Sequence, residues 1–161
     1  MKIGLIGAGN MAGALARGWN EPVLVFDIDR ERAAALAEAV GGSVAGSNVE
    51  LAAQADAVIL CHKPAQLEEV ADEIREDVKA VVSILGGVAV TDVEAAYPGK
   101  PVYRFMPNQP AEVRRGVSCY VAGSRASWTG PGTTRACSSR WRSTTAAGRS
   151  SSTRSGGSRR T

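Results

Sequence analysis

The chain is poor in the residues that build metal sites and disulfide scaffolds. It has one histidine and three cysteines among 161 residues. Cys61, Cys119 and Cys137 stand at irregular spacing, which argues against a disulfide framework and against a zinc site, so no metal is expected. The single histidine, His62, is read as structural rather than as a ligand or general base. No apolar run reaches membrane-spanning length and the N-terminus lacks a signal-peptide pattern, so no membrane partner and a cytoplasmic location are expected.

Other absences divide the chain in two. Residues 124–161 contain no acid and no Val, Ile, Leu, Met or Phe. Ser, Thr, Gly and Arg dominate that stretch, which cannot bury enough apolar surface to offset the entropy of ordering it. It is expected to be a disordered tail. Residues 1–123 hold all 16 acids and 11 of the 19 basic residues, a net charge of −5. The overall charge of +3 therefore comes from the arginines of the tail. An acidic body without interleaved aromatic platforms argues against a nucleic-acid partner. The tail also looks like a GC-rich coding frame read one base out of register, since Ser127-Trp-Thr-Gly-Pro131 re-reads as a plausible helix lead-in.

What is present begins at the first residues. Ile3, Leu5 and Ile6 form a short apolar strand, and Gly7, Gly9 and Ala12 then fit G-x-G-x-x-G/A. The first glycine permits a tight turn and the second lets a pyrophosphate approach the backbone. Ala12 lets the following helix lie close on the strand. That helix, running to about Gly18, offers unpaired N–H groups to phosphate. A second strand, Val23–Phe26, ends at Asp27, 20 residues beyond Gly7, where an acid would take the adenosine ribose hydroxyl. Asp27 favours NADH, whereas Arg30 and Arg32 offer charge to a 2′-phosphate, so NADPH and NADH both stay open.

The pattern continues in the same alternation. Asp29 is expected to cap a helix over Arg30–Val40. Ser43–Ala45 reads as a short strand, and Ser47 or Asn48 caps a helix through Ala53. Ala57–Cys61 is a continuous apolar run of the kind buried in a parallel sheet. Gln66–Val78 reads as an amphipathic helix whose acids, Glu73 among them, face solvent. Ala80–Leu85 is the next strand, followed by Gly86-Gly87. Thr91 or Asp92 is expected to cap a helix ending at Tyr97. Val102–Met106 and Gly116–Ala122 complete the strands. The expected fold class is α/β, a Rossmann-like doubly wound sheet with predominantly parallel strands, over residues 1–123.

Four motifs, in order, resemble the pyrroline-5-carboxylate reductases of proline biosynthesis. They are Ile6-Gly-Ala-Gly-Asn-Met11, Lys63-Pro64, Val82-Ser83 with Gly86-Gly87-Val88, and Met106-Pro-Asn-Gln-Pro110. The last has Gln109 where the family usually has threonine. The resemblance implies hydride transfer from NADPH or NADH to the C=N bond of 1-pyrroline-5-carboxylate, giving L-proline. It implies that Ile6, Gly7, Ala8, Gly9, Asn10 and Met11 wrap the pyrophosphate, with Asp27 and Ile28 beside the adenosine ribose. It further implies that Asn48 contacts the cofactor. Cys61, Lys63, Pro64, Ile84 and Gly86 would line the route to the nicotinamide, with Asn108 near the reacting ring. Such enzymes homo-oligomerise through a later helical domain that residues 124–161 do not resemble, so weak or absent turnover is expected of this chain. The alternatives are a non-catalytic NAD(P)-binding fragment and a reductase of the β-hydroxyacid dehydrogenase type. No residue stands out as the proton donor.

Overall fold

The computed structural model describes residues 1–125 and the pair Cys137–Ser138. Seven strands come from the first stretch: β1 (Ile3–Ile6), β2 (Leu24–Phe26), β3 (Ser43–Val44), β4 (Ala57–Leu60), β5 (Val81–Ser83), β6 (Val102–Met106) and β7 (Ser118–Ala122). A short β8 (Cys137–Ser138) pairs antiparallel with β7. Apart from that pair, the expected tail beyond residue 125 lies outside the described residues. The helices are α1 (Asn10–Trp19), α2 (Arg30–Ala39), α3 (Asn48–Gln54), α4 (Leu67–Ile74) and α5 (Val90–Ala96).

Among the described residues the strands lie in the order β3-β2-β1-β4-β5-β6-β7-β8. The first six run parallel, and β7 pairs antiparallel with β6. The order steps outward from β1 to β3 and then returns to β4 on the other side of β1. A topological switch point therefore lies between β1 and β4, where open α/β sheets bind ligands.

Helices cover both faces because the central strands are apolar on both. On one face Leu5, Val25 and Ile59 meet Ala12 and Ala16 of α1 and Ala33, Leu36 and Ala37 of α2. On the other, Leu24, Val58, Leu60, Val81 and Val102 meet Leu51, Val70, Ile74, Val93 and the fully buried Tyr97. Each fully buried aliphatic side chain contributes about 1.5–3 kcal/mol relative to exposure.

The helix ends follow capping chemistry. The Asp29 carboxylate accepts from the Arg32 N–H at 3.1 Å, and the Ser47 hydroxyl, not Asn48, accepts from the Glu50 N–H at 3.1 Å. Both ends of α4 differ from the expectation. Gln66 ends a 3-10 turn begun at Pro64, and α4 stops at Ile74 rather than Val78. The Ile74 carbonyl takes the N–H groups of both Asp77 and Val78, which tightens the chain into its descent to β5. Helix α5 starts one residue after Ala89, with neither Thr91 nor Asp92 at the cap position. Asp92 acts from inside the first turn, its carboxylate accepting the Ala89 N–H at 3.1 Å.

Candidate dinucleotide site

The site is built at the carboxyl ends of β1 and β4. The Cys61 N–H donates to the Ile6 carbonyl at 2.8 Å, and the Gly7 N–H donates to the Phe26 carbonyl at 2.8 Å. Gly7 has φ +98°, a conformation that disfavours any side chain. A Cβ there would also lie 2.8 Å from the carbonyl carbon and oxygen of Cys61. Gly7 is therefore needed both for the turn and for the close approach of two loops. Gly9 is needed for neither: nothing lies within 4 Å of where its Cβ would be. The space above Gly9 is open, which is what the approach of a pyrophosphate requires.

Gly9 is also the residue before α1, with no side-chain cap, and the first turn of α1 carries no acid. The first N–H groups of a helix have no intrahelical acceptor, and its N-terminus carries partial positive charge. Asn10 and Met11 stand in this first turn. The open cradle at Gly9 and the uncapped helix end fit the diphosphate of a dinucleotide.

Asp27 is buried at the end of β2, and both of its carboxylate oxygens are engaged. The Ala8 N–H donates to Oδ2 at 2.7 Å and the Asp29 N–H donates to Oδ1 at 2.9 Å. Asp27 thus ties the glycine turn to the end of β2, a role that spacing alone did not disclose. Each carboxylate oxygen keeps a further lone pair for a ligand hydroxyl. Ile28 beside it is 85% exposed.

Asn48 opens α3 and is buried. Its Nδ2 donates to Glu73 Oε2 at 2.8 Å, while its Oδ1 is buried without a partner. Glu73 belongs to the row of acids on α4 read as solvent-facing. Glu73 is exposed as expected, and its carboxylate also reaches α3, a contact that nothing in a helical charge pattern signals.

Past β4, burial pushes the Cys61 thiol well above its ordinary range, so it is a protonated thiol at neutral pH and not a nucleophile. His62 has its Nδ1 2.9 Å from the Lys63 carbonyl, which makes that nitrogen the protonated one. Burial holds its pKa below the ordinary 6.5, and Nε2 is buried without a partner. Lys63 and Pro64 are exposed, and the backbone of the loop is closed by Gln66. Gly86 follows β5, next to the end of β4, with open space at its Cβ position.

The loop between β6 and β7 lies elsewhere along the sheet. Asn108 is exposed, and its Oδ1 accepts the Val117 N–H at 2.9 Å. The 3-10 turn that follows it, Gln109–Val113, docks on α1. The Arg114 Nε donates to the Gly18 carbonyl at 2.8 Å, and Arg17 Nε lies 2.6 Å from Glu112 Oε1. The structure therefore gathers Ile6–Met11, Asp27 and Cys61 at the switch point and sets Gly86 one strand further along. It attaches the Asn108 loop through the far end of the same helix. Among the described residues no group of three His, Cys, Asp or Glu side chains could hold a metal ion. No helix among them is long and apolar enough to cross a membrane.

A doubly wound sheet with a glycine turn, an uncapped helix and an acid converging at its switch point defines a Rossmann-type dinucleotide-binding protein. The chain belongs to the family described as NADP oxidoreductase, coenzyme F420-dependent, which matches residues 2–87. The resemblance carried by the four motifs is borne out as well. The chain is 34% identical to pyrroline-5-carboxylate reductase 2 of Bos taurus over 142 residues, covering 78% of this chain and 44% of that protein. It is 34% identical to pyrroline-5-carboxylate reductase of Pseudomonas aeruginosa over 137 residues, covering 78% of this chain and 50% of that protein. The solved pyrroline-5-carboxylate reductase of Coxiella burnetii superposes with a TM-score of 0.71 at 27% identity, covering 78% of this chain and 51% of that one. The chain spans about half the length of the curated relatives it matches.

Proposed function

We propose that this chain supplies the dinucleotide half of a pyrroline-5-carboxylate reductase. A bound NADPH or NADH supplies a hydride to the imine carbon of 1-pyrroline-5-carboxylate, and the ring nitrogen takes up a proton, giving L-proline. The observation that carries the reading is the pairing of an open phosphate cradle at Gly9 with the Met106–Pro110 loop anchored on the same helix. Ile6 to Met11 hold the diphosphate, and Asp27 accepts from the adenosine ribose. Asn48, Cys61, Lys63, Pro64 and Gly86 bound the cofactor. Asn108, whose Oδ1 is occupied by Val117, offers its amide N–H groups to the reacting end. The turn that follows Asn108 packs on α1, so the helix that would seat the diphosphate also bears the Asn108 loop. The same reading takes a small imino acid as partner, with no nucleic acid or membrane, and places the protein in the cytoplasm.

The test replaces the matching half of the Pseudomonas aeruginosa reductase with residues 1–123 of this chain. The chimera is expected to form proline from 1-pyrroline-5-carboxylate and a reduced nicotinamide dinucleotide. A folded chimera that binds the dinucleotide and forms no proline overturns the proposed reaction.

A further inference from the structure

Asn48 carries a polar side chain that its own helix does not use. An asparagine at the start of a helix is a common cap. In α3 the Ser47 hydroxyl takes that place, accepting the Glu50 N–H at 3.1 Å. Asn48 is buried, its Nδ2 donates to Glu73 Oε2 at 2.8 Å, and its Oδ1 has no partner. A buried acceptor in that state is destabilising, and a ligand donor would relieve it. Glu73 is no better explained by its own helix. It is the next-to-last residue of α4, and the last turn of α4 holds no base. A carboxylate there meets the negative end of the helix dipole. The placement connects the pair to the dinucleotide. Helix α3 follows β3, the sheet neighbour of β2, and β2 ends at Asp27. That is the adenosine side of the switch point.

We propose that Glu73 is a positioning residue for the dinucleotide: it fixes the Asn48 amide so that Oδ1 is kept for a donor on the adenosine end. The inference rests on the dinucleotide reading above and adds a residue that touches no cofactor atom. An asparagine amide offers two donors on one side and an acceptor on the other, and an ionised carboxylate accepts only. With the amide flipped, Oδ1 would face Glu73 and two acceptors would meet with no proton between them. The carboxylate therefore permits one orientation, and its charge strengthens the bond that holds it.

The experiment titrates the full 161-residue chain with NADPH by calorimetry, as wild type, Asn48→Ala, Glu73→Ala and the double variant. Asn48→Ala is expected to weaken binding by about three- to tenfold, the worth of one hydrogen bond. Glu73→Ala is expected to weaken it by a similar factor. Loss of a negative charge would by itself tighten an anionic ligand, so the sign separates positioning from bulk electrostatics. In the Asn48→Ala background Glu73→Ala is expected to add no further loss, since no amide is left to orient. Glu73→Gln keeps an acceptor oxygen and is expected to recover most of the affinity. Glu73 is exposed, so the thermal midpoints of its variants are expected to stay close to that of the wild type. A Glu73→Ala chain that binds NADPH as tightly as the wild type, or that loses the same factor with and without Asn48, overturns the inference and leaves the dinucleotide reading standing. Unchanged binding by Asn48→Ala removes Asn48 from the cofactor and overturns the inference with it. A folded wild type that binds neither NADPH nor NADH overturns both readings. Each readout is binding, so it stands apart from the proline formation asked of the chimera.

Discussion

The backbone of Gly18 runs so close to Ala111 that a Cβ on Gly18 would collide with the Ala111 carbonyl oxygen. Two segments more than ninety residues apart in the chain are held in direct backbone contact there. Arg17, Arg114 and Glu112 reinforce the joint from its edges. The helix whose uncapped N-terminus follows the open Gly9 turn thus carries the Met106–Pro110 loop at its other end.

Gly18→Ala is expected to cost about 1–3 kcal/mol, the range for overpacking a close contact. The neighbouring ion pair is exposed, so Glu112→Gln is expected to change stability little. Urea unfolding of the two variants checks the contrast. A Gly18→Ala protein as stable as the wild type would refute the backbone contact.

Gly7 and Gly9 are expected to separate folding from binding. Gly7→Ala meets both a positive φ and the Cys61 backbone, so its thermal midpoint falls. Gly9→Ala meets open space and leaves the midpoint in place, while its methyl group occupies the room for phosphate. Dinucleotide affinity of Gly9→Ala is expected to fall by about tenfold or more. Unchanged affinity in Gly9→Ala would remove that glycine from the cradle.

Asp27→Asn tests the clamp on the glycine turn. The amide has one acceptor oxygen, and its NH2 would face a backbone donor at Ala8 or Asp29. The expected loss is about 1–3 kcal/mol, that of a buried hydrogen bond left unmade. Denaturant unfolding measures it, and slowed amide exchange at Ala8 in the wild type alone would locate it.

Stability is expected to fall as the pH drops below the ordinary histidine range. His62 has its folded pKa below 6.5, chiefly through burial. The unfolded chain then binds the proton more readily than the folded one. The contribution is fully present above pH 6.5 and is lost as the pH falls toward the folded value. His62→Gln should flatten this part of the stability profile, measured by thermal unfolding between about pH 7 and pH 5. A profile unchanged by the substitution would assign the pH dependence to the carboxylates.

Much of the fold was legible in the sequence because its signals are local. The glycine turn, the Asp29 cap and the apolar runs at β1, β4 and β5 each depend on residues within one or two turns of one another. Element ends were less legible. Whether α4 stops at Ile74 or Val78 depends on where β5 must begin, which the α4 residues do not encode. Of the site, the phosphate cradle and Asp27 were visible as a pattern. The reach of Arg30 was not, since its acceptors are the backbone carbonyls of Ala45 and Gly46, which every sequence has. Glu73 was hidden for a similar reason: its partner Asn48 lies 25 residues away on another helix.

The amino-acid sequence by itself determined the alternation of strands and helices and the glycine turn that ends β1. It also determined the family resemblance carried by four short motifs. Tertiary structure alone decided that β4 returns to the side of β1, that Asp27 holds the Ala8 N–H, and that Gly18 bears on Ala111. The difference is physical. Turns, caps and amphipathic faces arise from neighbours a few residues apart, whose geometry the chain imposes directly. Contacts across tens of residues exist only once register and packing have fixed which backbones meet.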